Sequence, residues 1–60
     1  MDTNAAITVI RDMLIPIYQA AVDLEGLDPE FALRDSHTAL ADAAEALRAD
    51  LARLESGDIE

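Results

Sequence analysis

The stretch LRDSHTALADAAEALRADLARL, residues 33–54, decides the fold that we predict for this chain. Apolar residues and one histidine recur in it at alternating steps of four and three. This is the heptad spacing of a helix that packs one face against another helix. The positions of this seam are Leu33, His37, Leu40, Ala44, Leu47, Leu51 and Leu54.

A second heptad seam precedes it, in a helix predicted over about residues 4–25, where Thr3 or Asn4 is suited to cap the N-terminus. This helix is also apolar on both sides of its seam, so it needs more than one neighbour, which predicts an oligomer. The seam positions are Ile7, Ile10, Leu14, Ile17, Ala21 and Leu24. Val9, Met13 and Ala20 widen it on one side, and Ile15, Tyr18 and Val22 widen it on the other.

Pro16 interrupts the first predicted helix. A proline inside a helix removes a backbone donor and crowds the carbonyl four residues earlier, which here belongs to Asp12. We predict a continuous helix kinked at Pro16, because Ile15 is a poor cap and the ring projects to the polar side. The alternative is two short helices.

The segment Glu25-Gly26-Leu27-Asp28-Pro29-Glu30 predicts a tight turn over residues 26–28. Gly26 suits a left-handed helix end, Asp28 suits a cap, and Pro29 suits the first position of a second helix over about residues 29–55. A break near Asp35 and Ser36 is the alternative to an unbroken second helix. Gly57 is expected to end this helix, and residues 56–60 form an acidic tail. Residues 1–60 are thus predicted to be one all-α domain, an antiparallel helical hairpin.

Folding the hairpin about this turn predicts a register for the two seams. In that register Leu51 and Leu54 extend beyond the first helix and require cover from another chain. We therefore predict that two hairpins dimerise into a four-helix bundle. The aligned pairs are Ala21 with Leu33, Ile17 with His37, Leu14 with Leu40, Ile10 with Ala44 and Ile7 with Leu47.

Composition limits the classes of function. The chain has 60 residues, 13 acidic side chains against four arginines, a net charge of -9 and no cysteine. A charge of this sign argues against direct binding of nucleic acid or anionic membranes and favours partners with a basic surface. The longest apolar run, Met13 to Tyr18, is too short to cross a bilayer. We expect a cytoplasmic protein.

The polar residues do not form a catalytic or metal-binding pattern. His37 is the only imidazole, and we expect it to bond a nearby carbonyl or carboxylate at the edge of a seam layer. No Glu-x-x-His motif recurs on the helices, so neither a metal nor another cofactor is predicted. The arginines have local partners by spacing: Glu30 with Arg34, Glu45 with Arg48, and Asp50 with Arg53.

In length and hairpin plan the chain resembles the small plasmid RNA-binding proteins of the Rop family, which are dimers of helical hairpins. That resemblance implies the bundle architecture. It does not extend to RNA binding, because that family uses a basic, aromatic-bearing face and Arg11 is the only cation of the first predicted helix. The segment Arg53-Leu54-Glu55-Ser56-Gly57-Asp58 is also similar to a segment of exonuclease VII small subunits.

The leading hypothesis is a non-enzymatic regulator or adaptor that acts as a homodimer and binds another protein. The alternative is an acidic mimic of nucleic acid that inhibits a DNA- or RNA-binding enzyme, as phage anti-restriction and anti-CRISPR proteins do. The predicted dimer or partner interface comprises Val9, Met13, Tyr18, Val22, Leu51 and Leu54. The predicted acidic face comprises Asp35, Asp42 and Glu45.

Overall fold

The computed structural model describes residues 1–57 and consists there of two α-helices with no strand. Helix α1 spans Thr3–Leu27 and helix α2 spans Arg34–Ser56. The two helices pack side by side in an elongated hairpin of 42 × 16 × 14 Å. The prediction of an all-α helical hairpin is confirmed. Residues 58–60 of the predicted acidic tail lie outside the described residues, while Ser56 closes α2.

The N-terminal cap of α1 is Asp2 rather than Thr3 or Asn4. Its backbone is extended, and its side chain accepts a hydrogen bond of 3.1 Å from the backbone N–H of Ala5. Aspartate is among the strongest cap residues, because its oxygens accept from otherwise unpaired N–H groups and its charge suits the positive helix end. Thr3 and Asn4 are instead the first residues of the helix.

Helix α1 is continuous through Pro16, so the alternative of two short helices is wrong. It is also continuous through Gly26, which has no positive φ, and the prediction that Gly26 ends the helix in a left-handed conformation is wrong. The last backbone bond of this end runs from the N–H of Asp28 to the carbonyl of Leu24 at 2.8 Å. At the other helix end the prediction holds, since Gly57 ends α2 with φ 81°.

The connection between the helices, residues 28–33, is longer than the predicted turn and is organised by Asp28. Its backbone carbonyl accepts from the N–H of Phe31 at 3.1 Å, with Pro29 at the second position of the turn. Its carboxylate accepts from the N–H groups of Ala32 and Leu33, both at 2.9 Å. These bonds hold residues 29–33 out of the helix, so α2 begins at Arg34 instead of Pro29. From there it is unbroken, and the alternative of a break near Asp35 and Ser36 is wrong.

The buried core is small: Leu14, Ala44 and Leu54 are the buried hydrophobic residues among those described. The other seam residues are half-buried, except Leu33, which is exposed in the connection. Leu54 is 5% exposed within the single chain and is thus the most buried of the three. The prediction that Leu54 lacks intramolecular cover is wrong, and Leu51 is half-buried as well.

Leu51 and Leu54 do not extend beyond α1, because the two helices are set further along each other than predicted. The guanidinium of Arg11 contacts the carboxylate of Glu55 at 2.6 Å, and Arg48 donates to the hydroxyl of Tyr18 at 3.2 Å. These contacts place the C-terminal end of α2, which contains Leu54, alongside the N-terminal part of α1. The helices have 25 and 23 residues, about 37 and 35 Å at 1.5 Å per residue, and therefore end together.

Helix α1 is long and apolar enough to cross a membrane by length and composition, with an 18-residue window of mean hydropathy 1.3 near the N-terminus. Only 6% of that window is buried in the hairpin. Core helices of soluble proteins, which are mostly buried, and signal sequences pass the same test of length and composition, so this is weak evidence for a span. It does establish that α1 presents much apolar surface.

Candidate interaction site

A groove of about 750 Å³ runs along one side of the hairpin, between α1 and α2. Its floor consists of seam residues from both helices, namely Ile17, Ala21, Leu40 and Ala44. Two of these are alanines, whose short side chains leave the space between the helices unfilled. The groove therefore gives access to the hydrophobic seam from this side.

The rim of the groove carries an aromatic ring and charged groups. The guanidinium carbon of Arg48 lies 6.0 Å from the centroid of the Tyr18 ring, at the limit of a cation–π contact. Glu25, Arg34 and Glu45 also line the groove. Within residues 1–57, Arg34 and Arg48 form no ion pair with a carboxylate, whereas Arg11 and Arg53 each form one. Two cations at the rim thus remain available to a bound molecule.

One end of the groove is closed by Phe31 and His37. Their ring centroids are 4.3 Å apart, and Phe31 holds a left-handed backbone conformation with φ 57°. The Nε2 atom of His37 lies 2.8 Å from Oδ2 of Asp28, and both side chains are about nine-tenths buried at 12% and 11% exposure. The prediction that His37 bonds a nearby carboxylate is confirmed.

The surroundings of Asp28 stabilise its ionised form. The N–H of Leu33 contributes most to holding the pKa of this carboxyl below its usual value, and His37 and the N–H of Ala32 lower the pKa further. Desolvation acts in the opposite direction and raises the pKa of Asp28. Hydrogen bonds and charge outweigh burial here, because the carboxylate accepts from three donors. The arrangement holds the connection against the start of α2.

The predicted interface residues of α1 lie on two different sides of the hairpin. Tyr18 and Val22 are on the side of the groove, together with Ile15, since residues three and four apart share a helix face. We call this side, with the groove, the tyrosine flank. Val9 and Met13 are on the other side of the seam. By their positions around the helix, Ala39, Ala43 and Ala46 of α2 face this same side, and we call it the alanine flank. All four predicted residues of α1 are exposed.

The two predicted interface residues of α2 have a different role. Leu51 and Leu54 belong to the seam inside the hairpin and do not join either flank. The assignment of Leu54 to an intermolecular interface is wrong, because the shifted register covers it with α1. The apolar surface available to a partner is thus supplied mainly by α1.

The predicted acidic face consists of three exposed side chains. Asp35, Asp42 and Glu45 are all exposed, and none of them joins an ion pair within residues 1–57. Asp35 and Asp42 are seven residues apart on the outer side of α2, while Glu45 lies toward the groove. Of the local pairs predicted from spacing, Asp50 with Arg53 is present, and Glu30 with Arg34 and Glu45 with Arg48 are absent from the described residues.

Sequence reasoning missed several residues that shape the groove. Phe31, Arg34 and Arg48 line it, and Asp28 positions the connection that forms its closed end. A signal for Asp28 was present, since an aspartate before a proline is typical of a turn start. No spacing rule predicts that Arg48 turns toward Tyr18 instead of Glu45.

No family model matches this chain, and neither a curated protein nor a solved structure does. The function has therefore to be inferred from the contacts, burial and charge of the chain itself.

Proposed function

We propose that this protein is a non-enzymatic interaction module that acts as a homodimer, a four-helix bundle of two hairpins, and binds a further protein as a regulator or adaptor. The observation that carries the proposal is the mismatch between a core of three buried residues and the many large apolar side chains exposed on α1. Exposed large hydrophobic residues include Val9, Met13, Ile15, Tyr18 and Val22. In a chain this short, such residues are typical of an association surface.

The size of the core supports association on energetic grounds. Burying a Leu side chain contributes about 1.5 to 3 kcal/mol, so three buried residues, one of them an alanine, cannot offset the entropy of ordering a 60-residue chain. Small domains without disulfides or metals commonly gain the missing stability by oligomerising. The two flanks provide separate surfaces, so a dimer formed through one leaves the other for a target.

Pro16 adds a detail to the proposed bundle. Its ring is exposed and it removes one backbone hydrogen bond on the side of α1 away from the seam. We propose that α1 is kinked at this position, which curves it around the second hairpin. A cytoplasmic location and the absence of a bound cofactor belong to the same proposal.

Sedimentation equilibrium between about 1 and 100 μM, combined with thermal unfolding at the same concentrations, tests the dimer. We expect a mass of twice 6.5 kDa and a melting temperature that rises with protein concentration. A compact monomer with a concentration-independent melting temperature would rule out the homodimer. The unfolding measurement matters because folding and association are coupled in a small obligate dimer.

A second candidate function is an acidic mimic that occupies the nucleic-acid groove of a basic enzyme. It is favoured by the exposed Asp35, Asp42 and Glu45, which have no cationic partner within residues 1–57. The variant Asp35→Asn/Asp42→Asn/Glu45→Gln keeps the shapes of these side chains and removes their charge. In a pull-down, the mimic is supported if the native chain recovers nucleic-acid enzymes, releases them as salt rises, and the variant does not recover them. Capture that resists salt and survives in the variant supports the adaptor.

A further inference from the structure

We propose that the tyrosine flank is the surface on which a second copy of this chain docks, with the groove closed by the partner hairpin. This inference rests on the proposed homodimer and assigns its interface. It leaves the alanine flank, with Val9 and Met13, outside the dimer contact. Three features of the tyrosine flank carry the assignment: its open seam, its charge balance and its area.

The seam is incomplete on this side. Ile17, Ala21, Leu40 and Ala44 form the floor of a groove of about 750 Å³, so hydrophobic seam positions reach solvent there. Next to them, Ile15 and Val22 are 68% and 63% exposed. A second hairpin that packs over the groove would bury these seam positions in the core of a four-helix bundle. Heptad helices with wide apolar faces adopt this arrangement.

The charge balance favours a copy of the same chain as the occupant. The tyrosine flank contains Arg11, Arg34 and Arg48 against Glu25, Glu45 and Glu55, so its net charge is close to zero. The whole excess of -9 belongs to other positions of the sequence. Two copies of an acidic protein meet with least repulsion through a neutral surface, whereas a basic partner would be drawn to the acidic positions.

The order of these charges along the helices is complementary to itself. In α1 the charges of the flank are Arg11 and Glu25, and in α2 they alternate as Arg34, Glu45, Arg48 and Glu55. In each helix the outermost of these residues is an arginine at the N-terminal end and a glutamate at the C-terminal end. A two-fold axis that sets helices of the two copies antiparallel brings the arginine end of each helix to the glutamate end of its neighbour. Arg34, which has no carboxylate partner within residues 1–57, acquires one across the interface.

The area of the flank is adequate. A stable interface buries about 800 Å² on each partner. This is roughly a fifth of the 4402 Å² of accessible surface of the hairpin. The contact thus needs a single side of the two-helix layer.

The first experiment compares Val22→Asp with Val9→Asp by sedimentation equilibrium. The two valines are in the same helix and are similarly exposed, at 63% and 56%. They lie on opposite flanks, so residue type, helix and exposure are matched while the surface differs. We expect Val22→Asp to weaken dimerisation by roughly 100-fold and Val9→Asp by less than about 3-fold. Val9→Asp dissociating the dimer while Val22→Asp leaves it intact would move the interface to the alanine flank and overturn the assignment, although the proposed dimer would stand.

The second experiment excludes a folding defect as the cause. One variant, Arg34→Glu/Arg48→Glu, makes the tyrosine flank acidic, and another, Glu25→Arg/Glu45→Arg, makes it basic. Each alone should dimerise at least about 10-fold more weakly, because like charges then face each other. Mixing the two should restore a dimer that contains one copy of each. Failure of the mixture to associate, while the native chain dimerises at the same concentration, contradicts docking through this flank.

A lipid surface is the competing occupant, since α1 has the hydropathy of a membrane helix. Flotation with neutral phosphatidylcholine vesicles separates the two. We expect the native protein to remain at the bottom of the gradient. Flotation of the native protein that is abolished by Val22→Asp would assign the flank to lipid instead of a second copy. A native protein that neither floats nor dimerises refutes both this inference and the homodimer.

Discussion

His37 and Asp28 form a hydrogen bond that joins the start of α2 to the connection, with 2.8 Å between Nε2 and Oδ2. The same carboxylate accepts from the N–H groups of Ala32 and Leu33. One side chain thus determines where α2 begins, because it satisfies the donors that a helix starting at Pro29 would have used internally.

Replacing Asp28 by Asn should destabilise the hairpin and flatten its acid response. The pKa of Asp28 is lowered in the folded chain from an ordinary value of 3.8. A carboxyl with a depressed folded pKa contributes stability that is fully present above its unfolded pKa and is lost as pH falls through the folded value. Urea unfolding from about pH 2 to pH 5 should show this loss in the native chain and not in Asp28→Asn. Asp42→Asn, an exposed change in α2, should retain the native acid response.

Leu54→Ala should be strongly destabilising, although Leu54 is near the C-terminal end of α2. Removing a buried leucine side chain costs about 2 to 5 kcal/mol, because the lost contacts are only partly replaced. Leu33→Ala, at a position of the same sequence seam, should change the free energy of unfolding by less than about 0.5 kcal/mol, since Leu33 is exposed. Chemical denaturation of both variants measures the contrast. Equal losses would restore the register in which Leu33 belongs to the seam.

Asp2→Ala should weaken the first turn of α1. The lost cap leaves the N–H of Ala5 without its acceptor, and such substitutions cost about 0.5 to 2 kcal/mol. Asn4→Ala, inside the first turn, should be close to neutral. Thermal unfolding monitored by circular dichroism compares the two variants. A larger effect at Asn4 would indicate that the cap lies at the position expected from the sequence alone.

Pro16→Ala should raise the free energy of unfolding by about 1 to 3 kcal/mol when measured at the same protein concentration, because alanine restores a backbone donor and removes the clash of the ring with the preceding turn. Gln19→Ala, an exposed substitution in the same helix, is the control for helix propensity and should change stability by less than about 0.5 kcal/mol. Sedimentation of Pro16→Ala then tests the proposed kink. A dimer that forms as tightly as in the native chain shows that the curvature of α1 is not needed for association.

The heptad positions were sufficient to predict two long helices and most of the residues between them. Ile7, Ile10, Leu14, Ile17, Ala21 and Leu24 of α1, and His37 through Leu54 of the second seam, are buried or half-buried in the hairpin. Their spacing makes one stripe on each helix, and an apolar stripe has to be covered. The sequence also predicted that α1 is apolar on both sides of its seam. These apolar residues are exposed in the structure and lie on the two flanks.

The sequence by itself determined which face of each helix carries the seam. Only the tertiary structure decided the axial register, that is, which residues of α1 lie opposite which residues of α2. A heptad pattern repeats after seven residues, so two seams match equally well when one slides by a whole heptad. The choice was made by Asp28, whose carboxylate removes residues 29–33 from α2 and lengthens the connection. That shift covers Leu54 and exposes Leu33. It could not be predicted from the repeat, because the bonds that set the register lie in the connection.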